Sequence, residues 1–87
     1  MGPTARRIHK SVHSAEHQLL RELLVAARDK SGLTQQKLAK QLGKPQSFVA
    51  KYEGGERRLD VVEFVFIARE LGANPVRMLK TLVKAMR

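Results

Sequence analysis

The sequence is 87 residues long, has no cysteine, and carries 17 lysines and arginines against 8 aspartates and glutamates, a formal net charge of +9. This length allows one small domain, and the lack of cysteine excludes a disulfide scaffold and a thiolate zinc site. The excess of positive charge favours a polyanionic partner, for which nucleic acid, acidic lipid and acidic protein all qualify.

The composition also bounds the core and the compartment. Aromatic residues make up 5% of the chain, with no tryptophan, which favours a core of leucine, valine and alanine as in helical bundles. The longest apolar runs, such as residues 64–68, are far shorter than a membrane span, and no apolar stretch follows the N-terminal arginines as in a signal peptide. We therefore expect a soluble, cytoplasmic protein that does not contact a membrane.

Residues 1–13 contain a glycine, a proline and three basic residues, but little that can pack: the basic residues are Arg6, Arg7 and Lys10. This composition predicts a flexible basic tail. Its cations either add non-specific charge or reach along DNA as an arm, and both interpretations stay open.

Three histidines recur at every fourth position, at His9, His13 and His17. On a helix this spacing places three imidazoles on one face, where a transition metal can bind. No cysteine or carboxylate completes a ligand set, because Glu16 lies off that face. We expect no metal site and no cofactor.

Ser14 begins the predicted folded domain, residues 14–87. Ser14 and His17 have the N-cap and N3 spacing of a helix start, and Glu16 suits the positive end of the helix dipole. The helix runs to about Lys30 and ends at Ser31-Gly32. Its apolar positions recur at helical spacing and are Leu20, Leu23, Leu24 and Ala27.

Residues 34–55 predict two short helices joined by a tight turn. Thr34 caps a helix over residues 35–42, and Gly43 follows where a left-handed backbone favours glycine. Pro45 fits the first turn of a second helix that runs to Glu53, and two glycines end it. We call this second helix the reading helix.

The reading helix has an unusual outer face. Only Val49 and Tyr52 have the spacing that faces a core. The residues left on the other side are Gln46, Ser47, Ala50 and Lys51. Glutamine, serine and lysine hydrogen-bond to base edges in a major groove, and a small alanine lets a helix approach closely. The unit is typical of a helix-turn-helix.

These residues resemble the helix-turn-helix of phage repressor and Cro proteins, the xenobiotic-response-element (XRE) family. The matching positions are Leu33, Thr34, Gln35, Leu38, Ala39, Leu42, Gly43, Gln46, Ser47, Val49, Tyr52, Glu53 and Gly55. The resemblance extends over about residues 19–86. It implies a lambda-repressor-like domain that binds double-stranded DNA sequence-specifically, as a transcriptional repressor or regulator.

Specific contacts follow from the resemblance and from the chemistry of the outer face. The expected base contacts are Gln46, Ser47 and Lys51. The expected phosphate contacts are Gln35, Lys44, Arg57 and Arg58. Phe48 lies at the rim, where it either touches a thymine methyl or packs on Arg57 or Lys44.

No catalytic constellation, glycine-rich phosphate loop or metal-ligand motif occurs in the sequence, and we expect no enzyme. Glu53 is the one acid in the reading helix. We predict a structural role for it, paired with Lys40, Lys51 or Arg57, rather than general-base catalysis.

After a basic loop, Asp60 and Glu63 have the spacing of a capping box that opens a fourth helix. Its apolar stripe is Val61, Phe64, Val65, Ala68 and Leu71, widened by Phe66 and Ile67. A stripe this wide predicts a central helix, closed by Gly72.

Asn74-Pro75 repeats a cap-then-proline start for a last helix that runs from Val76 to about Met86. This helix has more apolar positions than one side of a small core needs. The positions available to a second copy of the chain are Leu79, Leu82, Val83 and Met86. Burial of all of them in the core is the simpler alternative.

The sequence therefore predicts an all-α bundle of five helices with a central helix-turn-helix. The predicted partner is a double-stranded, near-palindromic operator bound by a homodimer. The main alternative is an antitoxin or accessory module that binds a partner protein and, with it, DNA. RNA ranks third, because the deep major groove of A-form RNA does not admit such a helix.

Overall fold

The computed structural model describes residues 14–86, which form five α-helices and no strand. The helices are α1 (Ala15–Ser31), α2 (Gln35–Leu42), α3 (Gln46–Glu53), α4 (Val61–Glu70) and α5 (Pro75–Ala85). The prediction of an all-α fold with five helices is confirmed. None of the helices in this range has the length and apolarity needed to cross a membrane. The predicted tail, residues 1–13, lies outside the described residues.

Four helices begin at the predicted caps. The Ser14 hydroxyl accepts a hydrogen bond from the backbone of the third helical residue at 3.3 Å, and the Thr34 hydroxyl does the same at 3.1 Å. Asp60 and Glu63 form the reciprocal capping box, with bonds of 2.7 and 3.0 Å. Asn74 accepts from two backbone N–H groups before the proline-initiated α5. Such a cap contributes about 1 kcal/mol to helix stability.

The turn between α2 and α3 differs from the prediction by one residue. Gly43 adopts the expected left-handed conformation, with φ of 68°. Pro45 is the N-cap of α3, with an extended ψ of 157°, rather than a member of its first turn. The Lys44 N–H still bonds back to α2, at the Ala39 carbonyl, so the C-terminal cap of α2 extends to the residue before Pro45.

The core is built from one face of each of the first four helices. Its buried residues are Leu24, Leu38, Ala39, Phe48, Val49, Tyr52, Phe64, Ile67, Ala68 and Leu71. Helices α2 and α3 pack on each other, α1 covers α3, and α4 covers α2. Helix α5 packs against α1 and α4. The core thus lies behind α3 and leaves the opposite side of that helix to solvent.

The predicted apolar stripe on α4 is buried at Phe64, Ile67, Ala68 and Leu71, but its predicted width is wrong. Val61 is 73% exposed and Phe66 is 61% exposed, as is their neighbour Val62 at 63%. The buried residues of α4 follow a single i, i+3, i+4, i+7 pattern that begins at Phe64. Helix α4 therefore covers one side of the core, and its second apolar side faces solvent.

Helix α5 contains no buried residue. Met78 packs against the core and Leu82 is half-buried, but a row of apolar side chains faces outward. This row is Val76, Leu79, Val83 and Met86. The alternative in which all the apolar positions of α5 enter the core is wrong.

Candidate nucleic-acid interface

Helix α3 presents the predicted polar face to solvent. Gln46, Ser47, Ala50 and Lys51 are all exposed. They occupy positions i, i+1, i+4 and i+5, which lie on one side of a helix. Phe48 and Val49, which lie between them, and Tyr52, which follows, are buried. The structure thus brings together the three predicted base-contacting side chains, and adds Phe48 to the core side.

A partly buried ion pair fixes the C-terminal end of α3. Glu53 accepts two hydrogen bonds from the guanidinium of Arg28 on α1, Nε to Oε2 at 2.7 Å and Nη2 to Oε1 at 3.1 Å. The two side chains are only 15% and 7% exposed. The hydrogen bond to Glu53 raises the pKa of Arg28 above its ordinary value. The structural role predicted for Glu53 agrees with this arrangement, but its predicted partners, Lys40, Lys51 and Arg57, are wrong.

The same network reaches two further points of the chain. Arg28 Nη1 donates to the carbonyl of Leu33 at 3.0 Å, just before α2. The side-chain amide of Gln35, the first residue of α2, donates to Glu53 Oε1 at 2.8 Å. Gln35 therefore uses one amide N–H inside the protein, and its predicted phosphate contact is left to the second amide N–H and to the helix N-terminus.

Phe48 packs against Arg57 and Lys44, which is one of the two alternatives expected for it. The residue is 8% exposed. The guanidinium carbon of Arg57 lies 4.6 Å from the ring centroid and the Lys44 ammonium 5.6 Å from it. The ring also meets Tyr52 edge-to-face at 5.7 Å. A contact with a thymine methyl remains a prediction, and only the small exposed part of Phe48 is available for it.

Arg57 is held by a second ion pair at the start of α4. Its Nη1 and Nη2 donate to the two carboxylate oxygens of Glu63 at 3.1 and 2.9 Å, and Nη1 also donates to the carbonyl of Arg58 at 2.8 Å. The bond from Arg57, followed by the backbone N–H of Asp60, lowers the pKa of Glu63 below its ordinary value. Lys44 and Arg58 are exposed. Predicted phosphate-contacting cations therefore lie at both ends of α3.

Comparison with known proteins decides the family. The helix-turn-helix family model matches residues 24–78, well over half of the chain. A solved structure, the XRE-family like protein from Pseudomonas syringae pv. tomato str. DC3000, superposes with a TM-score of 0.81 at 46% identity, covering 87% of this chain and 93% of that one. The chain belongs to the XRE family of helix-turn-helix proteins. No curated protein matches it in sequence.

As an XRE-family protein, the chain is a DNA-binding transcription regulator. The matched segment contains the Arg28–Glu53 pair, the whole outer face of α3, and Glu63. It ends at Met78, inside the first half of α5. Most of the exposed apolar row of α5, from Leu79 onward, therefore lies beyond the part that the family model matches.

Two features of this XRE-family domain escaped the sequence reasoning. Arg28 carries no local signal, because its partner lies 25 residues away. Tyr52 faces the core as predicted and is fully buried, but its spacing does not show that its hydroxyl has no hydrogen-bond partner among residues 14–86. Burial raises the pKa of this phenol.

Of the three histidines at every fourth position, His9 and His13 lie outside the described residues. The ring of His17 forms a hydrogen bond with the capping hydroxyl of Ser14 at 2.8 Å.

Proposed function

We propose that this XRE-family regulator is a repressor that reads a near-palindromic operator as a homodimer, in the cytoplasm. The observation that carries the proposal is the outer face of α3. Hydrogen-bonding side chains and one alanine are exposed there together, on a helix whose opposite side is buried in the core. A helix of this kind fits the major groove of B-form DNA. We propose no catalytic activity for the domain, residues 14–87, or for the basic tail, residues 1–13.

The roles of the side chains follow from their chemistry. Gln46 can pair bidentately with adenine, Lys51 can reach the acceptors of guanine, and Ser47 can bond to either base. Phosphates would be held at the two ends of α3, by Lys44 and Gln35 at one and by Arg57 and Arg58 at the other. Phosphate contacts fix the register of the helix, and base contacts supply the sequence preference.

The homodimer would use the exposed side of α5. Leu79, Val83 and Met86 are 41%, 55% and 53% exposed, and they recur at a spacing that aligns them along one side of the helix, beside the half-buried Leu82. Burial of such a row against a second copy would remove apolar surface from water. Two copies of α3 would then enter major grooves about 34 Å apart.

A partner protein is the second candidate, and the exposed side of α4 favours it. Val61, Val62 and Phe66 form an additional apolar surface, next to an open groove between α2 and α4 of about 440 Å³. An antitoxin or accessory subunit would use one apolar surface for its partner and keep α3 for DNA. Co-purification of a second chain that is lost in a Phe66→Ser variant would support this candidate.

The primary test is selection of bound duplexes from a random library at near-physiological salt. We expect enrichment of a two-fold symmetric site. Recovery of unenriched DNA would refute specific reading and leave only the charge-driven term. An asymmetric half-site would refute the homodimer on DNA.

Two substitutions then separate the proposed roles. On the selected site, Gln46→Ala should cost about 1–3 kcal/mol and relax the preference at one base pair, whereas Lys44→Ala should weaken matched and scrambled duplexes alike. Equal behaviour of the two variants on both duplexes would contradict the division into base and phosphate contacts.

A further inference from the structure

A single carboxylate lies close to two of the cations that flank α3. Glu63 pairs with Arg57, which follows the helix, and it lines the same groove as Lys44, which precedes it. The charge of Lys44 also contributes to lowering the pKa of Glu63. Both cations are predicted to contact phosphates. One acidic side chain thus acts on positive charge at both ends of the reading helix.

The pairing with Glu63 occupies much of the Arg57 guanidinium. Two of its nitrogens donate to the carboxylate, one of them also donates to the Arg58 carbonyl, and its central carbon lies over the ring of Phe48. A guanidinium has five N–H donors and pairs with carboxylate and phosphate through the same bidentate geometry. A DNA phosphate that approached Arg57 would therefore meet a donor set already bound to an anion.

The helix cap does not account for this pairing. The capping box needs one acceptor on Glu63, and Oε1 supplies it by accepting from the Asp60 N–H at 3.0 Å. Oε2 has Arg57 as its partner, at 2.9 Å. Glutamine serves as well as glutamate at this position of a capping box. The charge of Glu63 is thus separable from its capping function.

We propose that Glu63 competes with DNA phosphates for Arg57, and that it thereby sets how strongly the interface binds any duplex. This inference rests on the proposed function of α3. In the free protein the pair neutralises one cation of the interface. On DNA, a fraction of the molecules keeps Arg57 paired with Glu63, and that fraction lacks one phosphate contact, so matched and scrambled duplexes are weakened alike. Glu63 is a positioning residue, since it acts on DNA through Arg57.

The test is Glu63→Gln in the full chain, compared with Glu70→Gln. The control removes the same charge from the same helix, at an exposed residue that makes no ion pair within residues 14–86. Affinity for one matched and one scrambled duplex is measured over a range of salt. A released phosphate-binding cation steepens the log–log salt dependence by about 0.9. The affinity ratio of variant to wild type should then fall about threefold between about 50 and about 200 mM salt.

Two further results decide the proposal. The gain in DNA affinity that Glu63→Gln gives at low salt should disappear when the double variant Arg57→Ala/Glu63→Gln is compared with Arg57→Ala. In that background the carboxylate has no arginine to release. An unchanged salt slope, an effect equal to that of Glu70→Gln, or weaker binding in Glu63→Gln would overturn the inference. These outcomes leave the wild-type preference for the matched duplex intact. Loss of that preference in the wild type would instead refute the proposed function.

Discussion

Replacing Arg28 by methionine should measurably destabilise this domain. Methionine keeps most of the apolar volume of the arginine stem, so the main loss is the charge and its hydrogen bonds. Glu53, whose side chain is 7% exposed in the wild type, would keep the hydrogen bond from the amide of Gln35. The carboxylate would then lose its bidentate cationic partner, at a site that borders an open cleft also lined by Arg21.

The expected cost is about 1–3 kcal/mol, between the effect of breaking an exposed pair and that of breaking a fully buried one, because both residues are partly buried. A domain of this length has a total stability of about 4–13 kcal/mol. The melting temperature should fall by at least about 4 °C, since each kcal/mol is worth about 4–8 °C in a domain of this size.

Urea unfolding followed by circular dichroism measures the effect. Arg69→Met is the matched control, because this exposed arginine on α4 makes no ion pair within residues 14–86. The double variant Arg28→Met/Glu53→Leu should recover most of the loss, since an apolar pair leaves no buried charge. A loss below about 1 kcal/mol for Arg28→Met, as seen for exposed pairs, would refute the claim that burial makes this contact important.

Three other changes test separate features. Tyr52→Phe removes a buried hydroxyl without a partner in the described range and should raise the free energy of unfolding by about 1 kcal/mol; a loss in urea unfolding would show that the hydroxyl is bonded. Because the pKa of Glu63 is lowered on folding, its ionised form stabilises the fold above its unfolded pKa, and this contribution is lost as the pH falls through the lowered value. Acid titration of Glu63→Gln should lack that component, and an unchanged acid profile would contradict the pairing. Val83→Glu should shift sedimentation towards the monomer, while Thr81→Glu, on another side of α5, should not; identical sedimentation of the two variants would contradict a dimer through this row.

The helix ends and the turn could be predicted because their causes are local. A side chain caps backbone groups two or three residues away, so Thr34, Asp60 and Asn74 reveal their function in the sequence around them. The left-handed Gly43 is equally local. The outer face of α3 was predictable for a similar reason, since helical spacing alone separates Gln46 from Val49.

The partners of Glu53 and Arg57 could not be predicted from spacing. Several cations lie near Glu53 in the sequence, but Arg28 reaches it because α1 packs across α3. Only the tertiary arrangement selects one cation among them. The prediction of which α4 residues are buried failed for a different reason. Apolar residues occupy more than one side of this helix, and periodicity alone does not say which side meets the core.

The absence of buried side chains in α5 has a consequence for motion. A helix that contributes little to the core opens at a smaller free energy than the elements around it. The amides of α5 should therefore exchange with deuterium through local opening, while those of α1 and α3, joined by the Arg28–Glu53 pair, exchange only when the whole domain unfolds. Any molecule that covers the exposed apolar row of α5 would slow deuterium exchange in α5 first. Exchange in this helix would therefore be the most sensitive measure of association.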